Sequence, residues 1–314
     1  MRVSRPKTGI LLSFICLFIL GAMPVITNSR PADSNALEFA LALSFWQLIF
    51  ALPLFLYELH SGARRMVSAG SGKRPQLRTF VVGITTGIMF GLSTWFYVLS
   101  MEQAGAISAS IAIQSYPLFA VLTEFILLRQ RKSLQETAVT LVLVVALYYL
   151  GTQGSWQIMG MSGWFFVALS VPLLWSIAHV LIRQELMHSP VTPAQVTFFR
   201  VLISTIFLGM VLALTGSSFA ILLDPVILPF AMVMGFFYYM ELIVWFYAMQ
   251  HIDVSLASAV TTPWPAVTMG LSVIFLGEHL KSYQIYAFCI VAACIYALLA
   301  MAIKGGTQNV ESDL

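Results

Sequence analysis

The sequence predicts an all-α polytopic membrane protein with ten transmembrane helices in two five-helix inverted-topology repeats. Three observations predict it. First, 9% of the 314 residues are charged and 59% are hydrophobic, whereas a soluble domain carries about 25% charge. So little charge cannot cover a water-facing surface. Second, the apolar residues fall in unbroken runs of the ~20 residues that a helix needs to cross the hydrocarbon core. They are not the short alternating segments of a membrane barrel. Third, one stretch is written twice. Trp95-Phe96-Tyr97 leads through Met101-Glu102-Gln103 to the small residues Ser108, Ala109, Ser110 and Ala112, then to Tyr116-Pro117. Trp245-Phe246-Tyr247 leads to Ser255, Ala257, Ser258 and Ala259, then to Pro263-Trp264-Pro265.

Taken in order, the first helix is expected at 8–27, after the basic residues Arg2, Arg5 and Lys7. Its run is long for a cleaved leader and no small-residue cleavage site follows, so it is read as a membrane helix. The second, 37–59, ends in a loop rich in Gly, Ser, Lys and Arg that runs to Arg78. The third, 79–101, stops at Glu102-Gln103. The fourth, 106–128, holds the small residues and Pro117 and stops at the cluster Arg129–Lys132. The fifth, 134–151, closes the first half. An uncharged Gly-, Ser- and Gln-containing stretch to Gly160 divides the halves. The sixth to tenth helices follow at 161–183, 194–214, 226–249, 253–276 and 283–303, with Gly277-Glu278 after the ninth. The expected domains are therefore 1–151 and 161–303, with a short cytoplasmic tail at 304–314.

Lys and Arg placement sets the orientation. With ten helices, the cations of 1–7, 61–78 and 129–132, together with Arg183 and Lys304, share one side. Arg30 and Lys281 fall on the other, and Arg200 lies near the head of a helix. Both termini are thus expected in the cytoplasm, in the cell inner membrane. Five helices per half is an odd number, so the second half enters the membrane upside down. Such repeats rock against one another about a site near the midplane.

Several chemistries have no support. The net charge of +3 is small and unclustered, which gives no nucleic-acid footprint. Cys16, Cys289 and Cys294 lie inside apolar runs without metal-ligand spacing. No phosphate loop, zinc-protease motif or nucleophile elbow occurs. No cofactor, no metal site and no catalytic residue is expected.

Ionisable groups in hydrocarbon are expensive, so they mark function or pairing. Glu241 sits mid-helix, with Tyr238 and Trp245 on the same face at i−3 and i+4. A carboxylate among aromatic rings suits a cationic ligand, a carried proton, or a partner on another helix. The matching face of the first half has Ile88, Gly91 and Trp95 and lacks the acid. Trp175 and His179 lie one turn apart, just after Pro172. Either they serve a ligand, or they are a packed indole and a satisfied ring. Arg200, whose repeat mate is Gln47, is given a structural or topological role, since a long side chain near a helix head can snorkel to the interface. Gln114, Tyr116 and Pro117 mirror Thr262, Trp264 and Pro265, and paired prolines free backbone carbonyls toward a cavity. Glu102, Asp253 and Glu278 are read as solvated turn residues.

With these features in hand, the chain resembles the EamA-domain branch of the drug/metabolite transporter superfamily. The resemblance spans about residues 8–303. It rests on two five-helix repeats, each with small residues and a proline in its fourth helix (Pro117, Pro265). It rests also on Gly277-Glu278, on Arg200 early in the second helix of a repeat, and on Trp175-Ser176 in the first. The first half departs from the pattern at Gln47, Arg129-Gln130 and Gly21-Ala22. The resemblance implies secondary transport of small metabolites, often export of amino acids or amines, through a central cavity. The expected substrate-binding residues are Gln114, Tyr116, Trp175, His179, Tyr238, Glu241, Trp245 and Trp264. The expected partners are a small-molecule substrate and the lipid bilayer, with or without protons, for a monomer or homodimer. An intramembrane enzyme acting on a lipid-linked substrate is the alternative. It has only isolated groups such as Glu102 and His251 to offer.

Overall fold

A computed structural model of the chain describes residues 6–31, 34–60, 73–116, 118–119, 122–123, 134–157, 163–188, 193–248, 251–252, 257 and 260–312. Pro117, Glu124, the Arg129–Lys132 cluster, Asp253 and most of the expected basic loop lie outside them. The described residues form helices and turns, with no strand among them. In chain order these are α1 Pro6–Asn28, α2 Ala36–His60, α3 Lys73–Ile113, α4 Leu134–Gly151 and α5 Gly163–His188. They continue with α6 Pro193–Leu214, α7 Leu228–Ala248, α8 Trp264–Leu271 and α9 Ser282–Ser312.

Eight described stretches are long and apolar enough to span a bilayer, and Trp264–Leu276 is a shorter apolar helix. Where separate helices are expected at 79–101 and 106–128, helix runs through to Ile113. It is broken at Gly105, whose φ of 79° and ψ of 159° turn the chain. Only glycine takes that backbone without a Cβ penalty. The chain thus divides into two helical segments at Gly105, within the expected turn at 102–105. At the far end of the chain, α8 passes into a π-helical turn over Ser272–Leu276 and ends at Gly277, left-handed at φ 65°, a common helix stop.

The packing has an exchange symmetry. α1 packs on α7, as α5 packs on α3; α2 packs on α7, as α6 packs on α3; α2 meets α6, and α4 meets α9. Swapping the halves maps each of these contacts onto another or onto itself, while the contact of α1 with α3 has no comparable counterpart among the described residues. α2 and α6, counterparts in the sequence repeat, run in opposite directions. Phe55 stacks on Phe198 at 4.1 Å, Thr205 donates to the Ser44 carbonyl at 3.2 Å, and Leu41 neighbours Gly209.

Close approach of the helices depends on small residues, as expected where lipid offers no hydrophobic drive for association. Gly235 of α7 lies where an added Cβ would stand 2.8 Å from the backbone of Leu43 and Gln47 on α2. Ser204 of α6 donates to the Gly87 carbonyl of α3 at 2.7 Å, and Thr268 of α8 to the Gly21 carbonyl of α1 at 2.9 Å. Other hydroxyls satisfy themselves one turn back, as Ser13 does on Gly9 and Ser100 on Tyr97.

Apolar contacts gather in two clusters. One joins Phe39, Leu43, Met101, Leu208, Met234 and their neighbours on α1, α2, α3, α6 and α7. The other joins Ile107, Ile111, Leu143, Leu150, Val291 and Ile295 on α3, α4 and α9, with Trp164 and Phe165 of α5. Outward-facing stripes such as Leu11, Phe14, Ile15 and Phe18 on α1 are exposed, the pattern of a helix bathed in lipid. A separate apolar groove of about 470 Å³ lies between α4 and α9, lined by Ala138, Val142, Cys289, Ala293 and Ala297 among others.

Candidate functional site

The first apolar cluster encloses a group of polar and aromatic side chains contributed by α3, α5, α6 and α7, with Tyr116 just past the end of α3. The Tyr116 hydroxyl lies 3.1 Å from His179 Nδ1. His179 stands 5.5 Å from the Phe90 ring, and the Arg200 guanidinium carbon lies 3.9 Å from the centroid of that same ring. Phe90 thus has an imidazole and a guanidinium for neighbours, the latter in cation–π contact. The Trp175 indole donates to Ser93 Oγ at 3.0 Å, and that hydroxyl donates in turn to the Phe90 carbonyl at 2.9 Å. Trp175 also stacks on Tyr97 at 6.4 Å, and Tyr97 meets Tyr238 edge-on at 5.8 Å.

Glu241 lies one turn beyond Tyr238 on α7. The Cys16 thiol of α1, a weak donor, lies 3.9 Å from both Oε1 and the carbonyl oxygen of Glu241. Among the described residues Arg200 and Glu241 form no ion pair. Several buried atoms here have no hydrogen-bond partner: Arg200 Nε, Tyr238 Oη and, at the repeat position of Arg200, Gln47 Nε2. Native interiors rarely leave such atoms unpaired. Arg200, Glu241, Trp175 and Tyr116 are half-buried and His179 is exposed, whereas Tyr97 and Tyr238 are buried.

The eight residues expected from sequence divide into two sets. Tyr116, Trp175, His179, Tyr238 and Glu241 come together. Trp264 is buried in the apolar cluster and opens α8, with its carbonyl against Gly21. Gln114 is buried in the turn after α3, where its N–H bonds to the Ser110 carbonyl. Trp245 is half-buried one turn past Glu241, and among the described residues no ring pair joins it to the group.

Four residues outside that set belong to the group: Arg200, Phe90, Tyr97 and Cys16. Arg200 carries the same sequence signal as Glu241, an ionisable side chain in an apolar helix. Its place near a helix head masks the signal, because a side chain there can equally reach the interface. Phe90, Tyr97 and Cys16 look like any apolar residue of a membrane helix and carry no signal at all. Among the described residues no three His, Cys, Asp or Glu side chains gather as metal ligands.

The same end of the molecule that bears Arg30 is tied across helices. Arg30 pairs with Glu102 at 2.5 Å, and Asn28 donates to the Met101 carbonyl at 2.9 Å. Glu278 Oε1 accepts from the Ala106 N–H at 3.0 Å, and Gln284 donates to Ser108 Oγ at 2.8 Å. Glu102, read from sequence as solvated, is exposed while it pairs with Arg30; Glu278, read the same way, is half-buried and engaged.

Comparison with known proteins agrees with this architecture. A solved crystal structure, described only as that of a protein, shares the fold with a TM-score of 0.60 at 18% sequence identity, over 95% of this chain and 99% of its own. No curated protein matches the chain. The profile of the EamA-like transporter family matches twice, over residues 7–152 and 162–300. Those two matches cover nearly the whole of a chain built from apolar helices in two like halves. The chain therefore belongs to the EamA-like transporter family of the drug/metabolite transporter superfamily, and is a multi-pass membrane transporter rather than an enzyme.

Proposed function

We propose that the protein is a secondary transporter that exports small amphipathic metabolites (an amino acid, an amine or an organic cation) across the cell inner membrane. Ten helices in two oppositely inserted halves, 1–151 and 161–303, rock about a site near the midplane, with both termini in the cytoplasm. The opposed directions of α2 and α6 and the exchange symmetry of the helix contacts support the inverted arrangement. The strong bias of Lys and Arg to one side supports the orientation.

One observation carries the assignment of the site. Glu241 is an intramembrane carboxylate whose one hydrogen-bonding side chain among the described residues is the Cys16 thiol, a weak donor, and it lies one turn from Tyr238 in a group of aromatic and polar side chains contributed by both halves. Tyr116, Trp175, His179 and Tyr238 provide its walls. Gln114, Trp245 and Trp264 are assigned to the pathway on either side. Glu241 selects the charge of the substrate or carries the coupled proton. The bonds that tie Arg30, Asn28, Glu278 and Gln284 to α3 hold one end shut while the other opens, as alternating access requires.

The test is counterflow in proteoliposomes with the Glu241→Gln protein, over a panel of amino acids, amines and quaternary ammonium compounds. The expected result is a lost or strongly slowed flux with an altered pH profile. Unchanged rate, affinity and pH dependence would remove Glu241 from the mechanism.

A further inference from the structure

Just past the end of α4 the chain folds into a bonded knot that the central group of side chains does not use. Gln153 and Trp156 both take left-handed backbone, at φ 53° and 61°, a conformation that a bulky side chain rarely adopts. Such strain persists where the surroundings over-determine it, and here they do. The Gln153 N–H donates to the Leu150 carbonyl at 3.0 Å and the Gly154 N–H to the Tyr149 carbonyl at 2.9 Å. The Trp156 N–H donates to Thr152 Oγ1 at 3.3 Å, and the Trp156 carbonyl accepts from the Tyr148 hydroxyl at 2.8 Å. The segment that joins the two repeats therefore begins as a fixed structure and not as a slack tether.

The strained backbone fixes the place of one indole. The Trp156 ring lies 4.9 Å from Tyr149 and 6.0 Å from Tyr148, yet 53% of the residue stays exposed. The knot also touches the start of α9, since a Cβ added at Gly154 would stand 2.9 Å from that of Tyr283. Tyr286, one turn further along α9, is exposed. The Lys281 ammonium stands 6.0 Å from the Tyr283 ring. Lys281 is exposed and has no ion pair among the described residues, whereas Arg30 at this end is matched by Glu102. An outward indole among tyrosines gains nothing from water. But α4 is an 18-residue apolar span, long enough to cross the hydrocarbon core, so the residues that follow it lie at the level of the lipid headgroups. There the amphipathic rings of Trp and Tyr are favoured.

We infer that Trp156, Tyr286 and Lys281 form a phospholipid-headgroup site that anchors the joint between the two repeats in the membrane interface. The two rings keep their apolar bodies toward the acyl chains and their N–H or O–H toward the headgroup. Lys281 supplies a compact cation to the phosphate. A lysine at this end runs against the bias of cations to the other side, and the phosphate gives it a use there. Because the chain passes from one repeat to the other through this knot, the anchor fixes the depth of their joint in the bilayer. The site stands apart from the substrate, and its test does not bear on Glu241.

The experiment uses the full-length protein in vesicles of phosphatidylcholine and phosphatidylglycerol. The difference in emission between wild type and Trp156→Phe reports that one indole. Phospholipids brominated near the headgroup should quench it most, those brominated at mid-chain less, and those brominated at the chain end least. Iodide in the water should quench it several-fold less than a free indole. Should Trp156→Phe fail to assemble, Trp156→Tyr gives the same difference when indoles alone are excited. For the phosphate, wild type and Lys281→Gln are melted in a maltoside detergent and in nanodiscs of the same two lipids. Wild type should gain stability on entering the phospholipid, and Lys281→Gln should lose about 2 °C of that gain. Inorganic phosphate added to the maltoside should not restore it. Iodide quenching equal to that of a free indole overturns the proposal, as does quenching strongest from the chain end. An indole that neither lipid nor iodide quenches is covered by protein and overturns it too. So does a Lys281→Gln protein that keeps the full gain, or a gain that inorganic phosphate alone reproduces.

Discussion

Glu278 accepts a hydrogen bond from the backbone N–H of Ala106 at 3.0 Å, across 172 positions of chain. The residue before Ala106 is Gly105, the kink in α3, where an added Cβ would lie 3.3 Å from the same carboxylate. Glu278 therefore caps the helical segment that restarts after the kink, and its negative charge meets the positive end of that segment. Glu278→Ala is expected to cost about 1–2 kcal/mol, the worth of a lost cap. Glu278→Gln, which keeps an acceptor and loses the charge, is expected to cost about half as much. Thermal unfolding of the two purified variants in detergent checks the order. Equal melting temperatures for both variants and wild type would show that the kink holds without a cap.

Gly235 and Gly270 give a matched pair of substitutions. A Cβ at Gly235 would stand 2.8 Å from the Leu43 carbonyl and the Gln47 amide, both backbone atoms on a packed helix, whereas Gly270 has nothing within 4 Å. Gly235→Ala should force α2 and α7 apart, at a cost of about 2–3 kcal/mol from overpacking. Gly270→Ala removes a flexible residue from a helix and should stabilise by about 0.5–1 kcal/mol. Fluorescence-detected size-exclusion after a heat step resolves the two. A Gly235→Ala protein as heat-resistant as wild type would mean that the α2–α7 contact yields easily.

The fold was far more legible in the sequence than the site. Apolar runs delimit helices well: the span expected at 134–151 is α4 to the residue, and Leu214 ends α6 as expected, although α3 begins at Lys73, ahead of the expected 79. The polar turn at 102–105 marked the division of the helix legibly, but nothing in it singled out Gly105 as the residue that turns the chain. The partners of Glu102 and Glu278, Arg30 and Ala106, were not legible because they are 72 and 172 residues away. Glu241 stood out because charge in hydrocarbon is rare. Arg200 was discounted because position along a helix does not reveal whether its side chain turns inward to Phe90 or outward to the interface. Pairing between distant elements is a tertiary fact, and periodicity carries no trace of it.

The Trp175–Ser93 bond joins α5 to α3 at the wall of the site. Ser93→Ala leaves a half-buried indole N–H without an acceptor and should cost about 1–2 kcal/mol. Trp175→Phe removes the donor while keeping an aromatic face toward Tyr97. In the double variant neither orphan remains, so its cost should fall below the sum of the two single costs by about 1 kcal/mol, a coupling that a double-mutant cycle measures. Strict additivity of the three melting shifts would show that the bond contributes nothing to joining the helices.

Arg30 and Glu102 form an unequal ion pair, with the Arg30 side chain 5% exposed and Glu102 39%. Arg30 also donates to the Thr27 carbonyl at 2.9 Å and lies 5.0 Å from the Phe39 ring. Burial pulls its pKa below the ordinary value, and the Glu102 charge acts to restore it. The two halves of the pair should therefore respond differently to deletion. Glu102→Ala strands a desolvated guanidinium and is expected to cost about 2–3 kcal/mol, toward the range for a broken buried pair. Arg30→Met keeps the apolar stem against Phe39 and leaves behind a carboxylate that water already reaches, so about 1 kcal/mol is expected, near the exposed limit. Denaturation in detergent at pH 7 ranks them. The reverse ranking would mean that Arg30 acts through its contacts with Thr27 and Phe39 rather than through its charge, and would remove electrostatics from the account of how this end of the transporter is held shut.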